Sequence, residues 1–522
     1  MNPPFLVSAG IAALGVVALV LAWLRWARVA QREHYHPDAL IRIARLWMRT
    51  RRANELLAAA TAVSAVMILL GATIDQWVLG ALGATAAAVA TAVFPWGLAL
   101  RGADTPLAWT RRLKTLTAVV ALLVVLLGAI AVVASIPPWS APGLIAALLV
   151  PIGELALRIT VPIEARIAEG HRRRAESRLV RVAPTTIAIT GSWGKTTTKN
   201  HVRQLIGDLR PTAISPASFN NLGGLSRTMN EHLPDSTEVL VVEMGMYGPG
   251  EIRALCDWVR PSVGVITAIG PMHLERVGSI EGIVAAKSEI IERTECAVLW
   301  VAQPELARVA DTIAVERPDQ RLIRCGTEPT NDVCVMTTAT EHAISVRGRP
   351  LGVVEASSGL HPANIACAIG ALVAIEMDIE LVARNLSALS APDHRATQQT
   401  SPSGVTIIDD TFNSNPVGAR HAIERLTSVG PGRKIVVSPG MVELGPLQYG
   451  ENLEFARFAA DHGVEVIAVG RTNRDALLAG AELGGRPARW VPDRESARSL
   501  VATELGSGDA VLWENDLPDH YP

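Results

Sequence analysis

The sequence predicts an α/β protein in which a helical transmembrane domain precedes two α/β domains. Three observations lead to this fold class. Residues 1–163 contain five long apolar runs. A strand, a glycine turn and a helix start follow one another at residues 185–200. Short apolar strands then alternate with helix-like stretches, which is the pattern of parallel sheets covered by helices.

These patterns divide the chain into four parts. We expect a membrane domain of about five transmembrane helices over residues 1–163, a basic juxtamembrane helix or linker over 164–184, a central domain over 185–391 and a C-terminal domain over 392–522.

Composition supports this division. Of the 522 residues, 49% are hydrophobic, which is high for a soluble chain. Residues 1–182 hold 19 Lys and Arg against 9 Asp and Glu, whereas the remainder holds 29 against 41. The acidic second part argues against nucleic-acid binding as the main role. None of the five cysteines lies in a CxxC pair, which fits a reducing compartment and gives no support to a zinc site or a disulfide framework.

The apolar runs are long enough to cross a bilayer. The first, Phe5–Leu24, carries no charge, and the basic residues follow it, which disfavours the alternative of a cleaved signal peptide. The others are Leu56–Ile74, Trp77–Leu100, Leu116–Ile136 and Gly143–Ile163, and the second and third of the five could form one hairpin that turns near Asp75.

The fifth run contains two ionisable residues, Glu154 and Arg158, which share one face of a helix. Ionisable residues inside a span are often functional. The favoured interpretation is nevertheless structural: either the two residues neutralise each other and pack the bundle, or the span ends before Arg158.

Loop charges predict the orientation of the spans. Lys and Arg crowd the first and third loops, whereas the connections near Asp75 and at Pro137–Pro142 carry none. The positive-inside rule then places the N-terminus outside the plasma membrane and the two α/β domains in the cytoplasm. Residues 164–182 are predicted to form a basic amphipathic helix. Its residues Arg172, Arg173 and Arg174 could face anionic headgroups or belong to a solvated linker.

The segment 185–200 predicts an anion-binding turn. Thr186–Thr190 is a buried strand, residues 191–194 (Gly-Ser-Trp-Gly) are a tight turn, and Lys195 opens a helix. Free backbone N–H groups and the helix dipole point to one spot there. Lys195 can reach the β- and γ-phosphates of a nucleotide, and the Thr196 hydroxyl can bind Mg²⁺. The alternative is an ordinary strand-to-helix turn.

Further strands complete a P-loop-type, doubly wound central domain. They are Val239–Gly245, Val263–Ile266 and Cys296–Val301. Ligands bind at the carboxyl ends of such strands. Glu243 lies at such an end and could bind Mg²⁺, although a single Glu in this position is more often a solvated strand terminus.

Several blocks, in order, resemble one family. They are ITGSWGKTTTK at 189–199, NNLGG at 220–224, EMGMYGPGEI at 243–252, ITAIGPMHLERVGSIEGIVAAKSEI at 266–290 and IIDDTFNSNP at 407–416. Together they resemble the Mur ligases, the ATP-dependent amide ligases of cell-wall peptide synthesis, and most of all their D-alanyl-D-alanine-adding branch. The resemblance covers residues 185 to about 515 and is far more specific than a single phosphate-loop match.

The resemblance implies roles for individual residues. Lys195 would neutralise the ATP phosphates, Thr196 and Glu243 would hold a first Mg²⁺, and His273 would bind a second. Lys287 matches a lysine that is carbamylated in several members, which turns a cation into an anionic metal ligand. Without the resemblance, Lys287 would be interpreted as a surface helix residue and His273 as a core or loop histidine.

The resemblance also implies the remaining contacts. The nucleotide would be bound by the phosphate-loop residues Gly191, Ser192, Gly194, Lys195, Thr196 and Thr197, by Asn364 at the adenine, and by Arg395, Asp410 and Asn413 across the domain cleft, with Asp409 assisting. Asn220 and Asn221 would position the phosphates or the substrate. The family usually has the pattern G-x-H-N-x-x-N, whereas residues 359–364 of this chain are GLHPAN, so the chain is either one residue short or has His361 in place of the first asparagine. Trp193 also replaces a common asparagine, either as a lid on the nucleotide or as a packing residue.

The last part of the chain predicts a smaller, Rossmann-like domain. Pro392–Arg395 is expected to be a hinge, and strands are expected at Lys434–Ser438, Val464–Gly470 and Ala510–Trp513. Closure of this domain on the central one would exclude water from the site.

The implied reaction is ATP-dependent amide formation through an acyl phosphate, with ATP and two Mg²⁺. Soluble members begin with a domain that holds the UDP end of the substrate, whereas this chain has membrane spans there. The first hypothesis is therefore a ligase that adds an amino acid or dipeptide to a cell-envelope carboxylate that is lipid-linked or delivered by a membrane partner. The alternatives are an anchored conventional UDP-N-acetylmuramoyl-tripeptide D-alanyl-D-alanine ligase, a poly-γ-glutamate-type ligase and a non-catalytic membrane scaffold that works with other envelope-synthesis proteins.

Overall fold

The computed structural model of this chain describes residues 4–100, 107–356, 360–390, 397–411, 414–517 and 520–522. These residues form two units. Unit 1 consists of Met1–Ile167 together with Leu517–Pro522, and unit 2 consists of Ala168–Asp516.

Unit 1 is helical, as its composition predicts. Its helices are α1 (Phe5–Arg32), α2 (Ala39–Thr50), α3 (Arg52–Thr73), α4 (Trp77–Val93), α5 (Arg111–Val133), α6 (Ala141–Ala147) and α7 (Leu149–Val182), the last of which continues into unit 2. By length and composition, α1, α3 and α5 could cross a membrane, and α6 with α7 gives a fourth candidate if this pair, bent by 67°, is one span. The 17-residue α4 is apolar but shorter. Each of the five apolar runs thus contains a helix, although α4 ends at Val93, before the end of the predicted run Trp77–Leu100. Five crossings remain a prediction.

Two arginines of the predicted first loop lie inside α1 and are buried. Arg25 donates from Nη1 to the carbonyl oxygens of Ala92 (2.9 Å) and Phe94 (3.0 Å), and Arg28 donates from Nη2 to that of Ala99 (2.8 Å). The last carbonyls of a helix lack partners within the helix, so the guanidinium of Arg25 completes the end of α4. These two charges therefore have a structural role, which a count of Lys and Arg in the predicted loops could not show.

The rest of that predicted loop contains an additional helix, α2, which is amphipathic. Its residues Leu40, Ile43 and Trp47 are buried, whereas Arg45 and Arg49 are exposed. Such a basic amphipathic helix is typical of a membrane–water interface.

Glu154 and Arg158 both hold the start of α2 in place. The Glu154 carboxylate accepts hydrogen bonds from the backbone N–H groups of Asp38 and Leu40, and Arg158 Nη2 donates to Asp38 Oδ1 at 2.6 Å. Free N–H groups at a helix start favour a carboxylate. The two residues therefore have a structural role, but through Asp38 and α2 rather than by neutralising each other.

The last described residues of the chain pack within unit 1. Trp47 Nε1 donates to the carbonyl oxygen of His520 at 2.9 Å, and His520 Nε2 lies 2.8 Å from Glu33 Oε1. All three side chains are buried. The sequence analysis assigned these terminal residues to the C-terminal domain, and a contact between residues so distant in sequence was not predictable.

Unit 2 contains a nine-stranded sheet in the order β2-β3-β1-β4-β5-β6-β7-β8-β9. The strands are β1 (Thr185–Thr190), β2 (Thr212–Ile214), β3 (Val239–Glu243), β4 (Val263–Ile266), β5 (Cys296–Trp300), β6 (Arg321–Gly326), β7 (Val333–Thr337), β8 (Glu341–Val346) and β9 (Arg349–Glu355). The strands from β2 to β7 in this order pair in parallel, and β8 and β9 extend the sheet antiparallel. The carboxyl ends of β1, β3 and β4 therefore meet at one edge.

The helices of this part connect the strands in the doubly wound pattern. They are α8 (Lys195–Ile206), α9 (Leu222–Glu231), α10 (Glu251–Val259), α11 (Leu274–Val277), α12 (Ile280–Ser288), α13 (Pro304–Glu316), α14 (Pro362–Ala374) and α15 (Ile379–Ala383). The predicted strands match β1, β3, β4 and β5 to within two residues at each end. The antiparallel strands β8 and β9 were not predicted.

A second, six-stranded sheet has the order β10-β11-β15-β12-β13-β14. Its elements are β10 (Thr397–Thr400), β11 (Thr406–Asp410), α16 (Pro416–Thr427), β12 (Lys434–Ser438), α17 (Gln448–Asp461), β13 (Glu465–Val469), α18 (Arg474–Leu483), β14 (Arg489–Val491), α19 (Arg494–Glu504) and β15 (Ala510–Glu514). Only β10 is antiparallel to its neighbour. The α/β prediction for this part is confirmed, while the expected hinge at Pro392–Arg395 lies outside the described residues.

The second sheet buries one carboxyl group, Glu514 at the end of β15. It accepts hydrogen bonds from the hydroxyls of Ser414 and Ser438. Burial raises the pKa of Glu514 to about 7, although both hydroxyls act in the opposite direction. The folded protein therefore holds this proton more tightly than the unfolded chain does.

This shift predicts a pH dependence of stability. As the pH rises from about 4.5 to about 7, the unfolded carboxyl ionises first, so the contribution of Glu514 to the free energy of unfolding falls by on the order of 3 kcal/mol and is constant above that range. Glutamine does not ionise, so Glu514→Gln should lack the fall in stability that Glu514 causes as the pH rises. The difference in unfolding temperature between Glu514→Gln and wild type should therefore be more favourable to the variant at pH 8 than at pH 5. Thermal unfolding of the full-length protein checks this, with the exposed Glu495→Gln as control. Equal pH profiles for wild type and Glu514→Gln would contradict the assignment.

Candidate functional site

The turn between β1 and α8 is built for close contacts. A Cβ atom at Gly191 would lie 2.0 Å from Thr267 Oγ1, and one at Gly194 would lie 2.3 Å from Asn364 Oδ1. Gly194 also has φ +82°, in the left-handed region that favours glycine. Only glycine fits both positions, and the backbone N–H groups at the start of α8 are left available for an anion.

Lys195 and Thr196 are the first residues of α8. Lys195 Nζ donates to the carbonyl oxygen of Gly191 at 2.7 Å, so its ammonium group lies over the turn. Thr196 Oγ1 donates to Glu243 Oε2 at the end of β3, at 3.2 Å. The structure thus brings together the two strand ends and the helix start on which the predicted nucleotide site depends.

Trp193 and Ser192 brace the turn against the loop after β4. A Cβ atom at Gly270 would lie 2.1 Å from the Trp193 ring. Ser192 Oγ donates to the Gly270 carbonyl oxygen at 3.1 Å and accepts from the Gly270 N–H at 2.9 Å. Of the two interpretations of Trp193, packing is therefore the one that its contacts support.

Lys199, which the sequence analysis missed, forms a buried ion pair with Glu243. Its Nζ lies 2.6 Å from Glu243 Oε1, and both side chains are only 1% exposed. Nζ also donates to the carbonyl oxygens of Ser215 (2.7 Å) and Ala217 (2.6 Å). Buried charges need such partners, so Lys199 orients the Glu243 carboxylate that Thr196 also contacts. Its position one helical turn after Lys195 was the only signal in the sequence.

Lys287, on α12, is buried, so its interpretation as a surface residue is wrong. Burial, and secondarily the charge of Lys195, hold the pKa of Lys287 well below its usual range. Within the described parts of the chain, no side chain forms an ion pair or hydrogen bond with its ammonium group. A lowered pKa increases the neutral fraction of an amine, and a neutral amine can react with CO₂. Lys287 therefore has the properties that carbamylation requires.

His273 lies opposite a carboxylate from the second sheet's part of unit 2. Its Nδ1 is 2.7 Å from Glu443 Oε2, and Arg276 Nη2 donates to Glu443 Oε1 at 2.9 Å. Burial raises the pKa of Glu443, but the hydrogen bonds and charges of His273 and Arg276 prevail and lower it to about 2. Both His273 (φ +64°) and Glu443 (φ +63°) have left-handed backbone, which is uncommon outside glycine and often occurs at functional sites.

The described residues include no group of three His, Cys, Asp or Glu side chains close enough to hold a metal ion. The metal roles of Thr196, Glu243, His273 and Lys287 therefore remain predictions. Glu443, which the sequence analysis missed, fixes Nδ1 of His273 and leaves Nε2 as the nitrogen for a metal. Carboxylates commonly orient metal-binding histidines in this way.

This arrangement predicts that Glu443→Gln weakens Mg²⁺ binding. The Mg²⁺ concentration for half-maximal ATP turnover should rise by about tenfold or more, because the His273 ring loses its fixed tautomer and orientation. The measurement is the Mg²⁺ titration of ATP turnover, together with the Mg²⁺-induced shift in unfolding temperature. The exposed neighbour Glu275→Gln is the matched control, and equal titrations for both variants would refute the role.

The asparagines predicted to bind substrate lie near the end of β3. The Asn221 side chain accepts from the Gly224 N–H at 2.9 Å and caps α9, which is a structural role. Asn220 accepts from the Gly245 N–H through its carbonyl oxygen, at 2.8 Å, and its side chain lies against Gly245. Asn220 is therefore next to Glu243, and its role toward a substrate remains a prediction.

Asn364 is in the first turn of α14 and is largely buried. Its Oδ1 accepts from Thr198 Oγ1 at 3.4 Å and lies beside Gly194, so it supports the turn between β1 and α8. The preceding His361 caps α14 by accepting from the Ala363 N–H at 3.2 Å, and burial lowers the pKa of His361 to about 4. The unusual His-Pro pair thus forms a helix start, while the adenine contact of Asn364 is untested.

Of the residues expected across the cleft, the structure describes Asp410 and Asp409. Asp410 ends β11, and Asp409 Oδ1 accepts from the hydroxyl of Thr411 at 2.6 Å. Arg395 and Asn413 lie outside the described residues.

Comparisons with known proteins match the same region. The Mur ligase middle domain matches residues 189–366, and the Mur ligase glutamate ligase domain matches residues 394–514. The UDP-N-acetylmuramoyl-tripeptide–D-alanyl-D-alanine ligase of Mycobacterium tuberculosis is 30% identical over 413 residues, which cover 72% of this chain and 78% of the relative.

Two solved structures share the fold. A MurF structure from Acinetobacter baumannii has a TM-score of 0.58 at 24% identity and covers 67% of this chain and 77% of its own. The MurF ligase from Thermotoga maritima in complex with ADP has a TM-score of 0.55 at 23% identity and covers 67% and 80%.

Proposed function

The chain belongs to the Mur ligase family of ATP-dependent, ADP-forming amide ligases, and from this premise we propose that it is a membrane-bound ligase. It joins an amino acid or dipeptide to a peptide carboxylate of the cell envelope that is carried on a lipid. The observation that carries this proposal is the convergence of Lys195, Thr196 and Glu243 at the carboxyl edge of the sheet, in a chain whose first 163 residues are largely apolar helices.

The reaction has two steps. A carboxylate oxygen of the substrate attacks the γ-phosphorus of ATP, the bond to ADP breaks, and an acyl phosphate forms. The amine then attacks the acyl carbon, loses a proton, and the C–O bond to phosphate breaks. Lys195 neutralises charge that moves toward the β-phosphate, and the N–H groups at the start of α8 hold the phosphates in line.

The proposal includes two Mg²⁺ ions on the side chains that the family resemblance implies. Thr196 and Glu243 would hold the first, and His273 with carbamylated Lys287 would hold the second; the ions would neutralise the phosphate oxygens. Lys199 and Glu443 keep the Glu243 carboxylate and the His273 ring in place. Asp410, Arg395 and Asn413 are proposed to reach the nucleotide from the C-terminal domain.

The proposed location is the plasma membrane, with the N-terminus outside and the catalytic domains in the cytoplasm. The arginines Arg42, Arg45, Arg49, Arg51 and Arg52 on one side, and the lack of Lys and Arg near Asp75, support this orientation. Fusion of a cytoplasm-active reporter to the N-terminus or the C-terminus tests it, and activity only in the C-terminal fusion is expected.

The substrate test uses the purified full-length protein with ATP and D-alanyl-D-alanine. We expect faster turnover of a polyprenyl-linked muramyl tripeptide than of the UDP-linked one. Faster turnover of the UDP-linked substrate would instead support the second candidate, an anchored conventional ligase, which the likeness to the M. tuberculosis enzyme favours. ATP turnover with glutamate chains and with neither muramyl substrate would indicate the poly-γ-glutamate alternative.

A further inference from the structure

Unit 1 contains an apolar groove between α2, α3, α4 and the bend between α6 and α7. Its volume is about 260 Å³. The rings of Trp26 and Phe94 line it together with small residues such as Ala58 and Ala147. This space is smaller than the sites that enclose drug-sized molecules, which favours one chain segment over two.

Uncompensated positive charge lies beside this groove. Arg45 is part of its lining, and Arg49 follows one turn later on α2. Both are exposed, and neither forms an ion pair with a described residue, in contrast to Arg42, which pairs with Glu33. Two guanidinium groups one turn apart suit a phosphate group, which they can bind through several N–H donors.

A buried hydroxyl points to the same kind of ligand. Thr91 lines the groove, is 8% exposed, and its Oγ1 has no hydrogen-bond partner in the described parts of the chain. A buried hydroxyl without a partner destabilises a fold. A ligand that carries ester or phosphate oxygens would satisfy it.

We propose that this groove binds the single chain of a phosphorylated isoprenoid, with its phosphate at Arg45 and Arg49. The inference rests on the proposed lipid-linked substrate and assigns where its lipid part is held. The small side chains of the lining, such as Ala58 and Ala147, leave space beside the bulkier ones for the methyl branches of an isoprenoid.

The binding test uses the full-length protein in detergent, geranylgeranyl phosphate as the probe, and native mass spectrometry as the readout. Ala58→Phe fills the groove from α3 and should weaken binding by about tenfold or more. Ala59→Phe places the same ring on the exposed neighbouring position and should leave binding within about twofold of wild type. Equal binding by both variants would overturn the assignment.

The headgroup is tested separately. Arg45→Gln combined with Arg49→Gln should weaken binding of geranylgeranyl phosphate and leave that of uncharged geranylgeraniol unchanged, whereas Arg52→Gln, also exposed, should change neither. Phosphatidylglycerol should not displace the probe. Displacement by phosphatidylglycerol at equal concentration would show a general phospholipid site and contradict the proposal.

Different results would contradict the lipid-linked substrate and the groove assignment. If wild type binds the isoprenoid phosphate at this groove but ligates only UDP-linked substrates, the groove assignment holds and the lipid-linked substrate is wrong. If lipid-linked substrate is ligated equally well by wild type and Ala58→Phe, the substrate holds and the groove assignment is wrong.

Discussion

Lys195→Met is expected to reduce ATP turnover by about a thousandfold or more while leaving the protein folded. Lys195 is the cation at the proposed phosphate-binding turn, where its Nζ donates to the Gly191 carbonyl oxygen at 2.7 Å. Methionine has a similar length and no charge, so the phosphoryl group loses its stabilising ammonium while the start of α8 is preserved. Arginine should not restore activity, because its planar fork cannot replace a compact ammonium group in so close a turn.

The measurement is ADP formation by the full-length protein in the presence of both substrates. Lys434→Met is a matched control, since Lys434 lies at the start of β12 and donates only to backbone carbonyls of Gly430 and Gly432. Loss of activity in both variants would indicate a general defect. If wild type and Lys195→Met are both inert with every peptide tested, the non-catalytic scaffold becomes the better account.

Removal of CO₂ is expected to inactivate the wild-type enzyme reversibly through Lys287. Its amine is buried and has a pKa well below the usual range, because burial and the neighbouring Lys195 disfavour the charged form. A neutral amine takes up CO₂ and becomes a carbamate, which supplies an anionic oxygen where an ammonium group would repel a metal ion. Lys287→Met should lose activity by about a hundredfold or more and should not respond to bicarbonate.

The checks are activity after CO₂ depletion and readdition of bicarbonate, and ¹³C NMR of protein incubated with ¹³C-bicarbonate. A carbamate signal should be present in wild type and absent in Lys287→Met. Because a buried methionine is apolar, the variant should be at least as stable as wild type in thermal unfolding, which separates a chemical defect from a folding defect. Full wild-type activity without CO₂ would contradict the carbamate.

Local sequence predicted the elements whose contacts are local. The strand, turn and helix of residues 185–206 follow from apolar β-branched residues, two glycines and a helix start, and the structure has them at β1 and α8. The resemblance added roles that no local pattern carries, as for Lys287. A buried lysine on a short helix has no periodic signature that separates it from a surface one.

The sequence could not predict contacts between distant residues. In the sequence, Arg25 cannot be distinguished from a charge in a loop. Its hydrogen bond to the Ala92 carbonyl oxygen depends on where α4 lies in the fold. Glu443 meets His273 across 170 residues. From the sequence, Lys199 and Glu243 could each be solvent-exposed charges. They form a buried ion pair because β3 and α8 lie side by side. In each case the tertiary arrangement decides between a surface charge and a buried partner.

The central claim is that a carboxylate is activated by ATP as an acyl phosphate and then joined to an amine. It is tested most directly by supplying a substrate with ¹⁸O in the reacting carboxylate and analysing the released inorganic phosphate by mass spectrometry. The account predicts one ¹⁸O atom from each carboxylate in the phosphate formed together with the amide. Amide formation with unlabelled phosphate would contradict it.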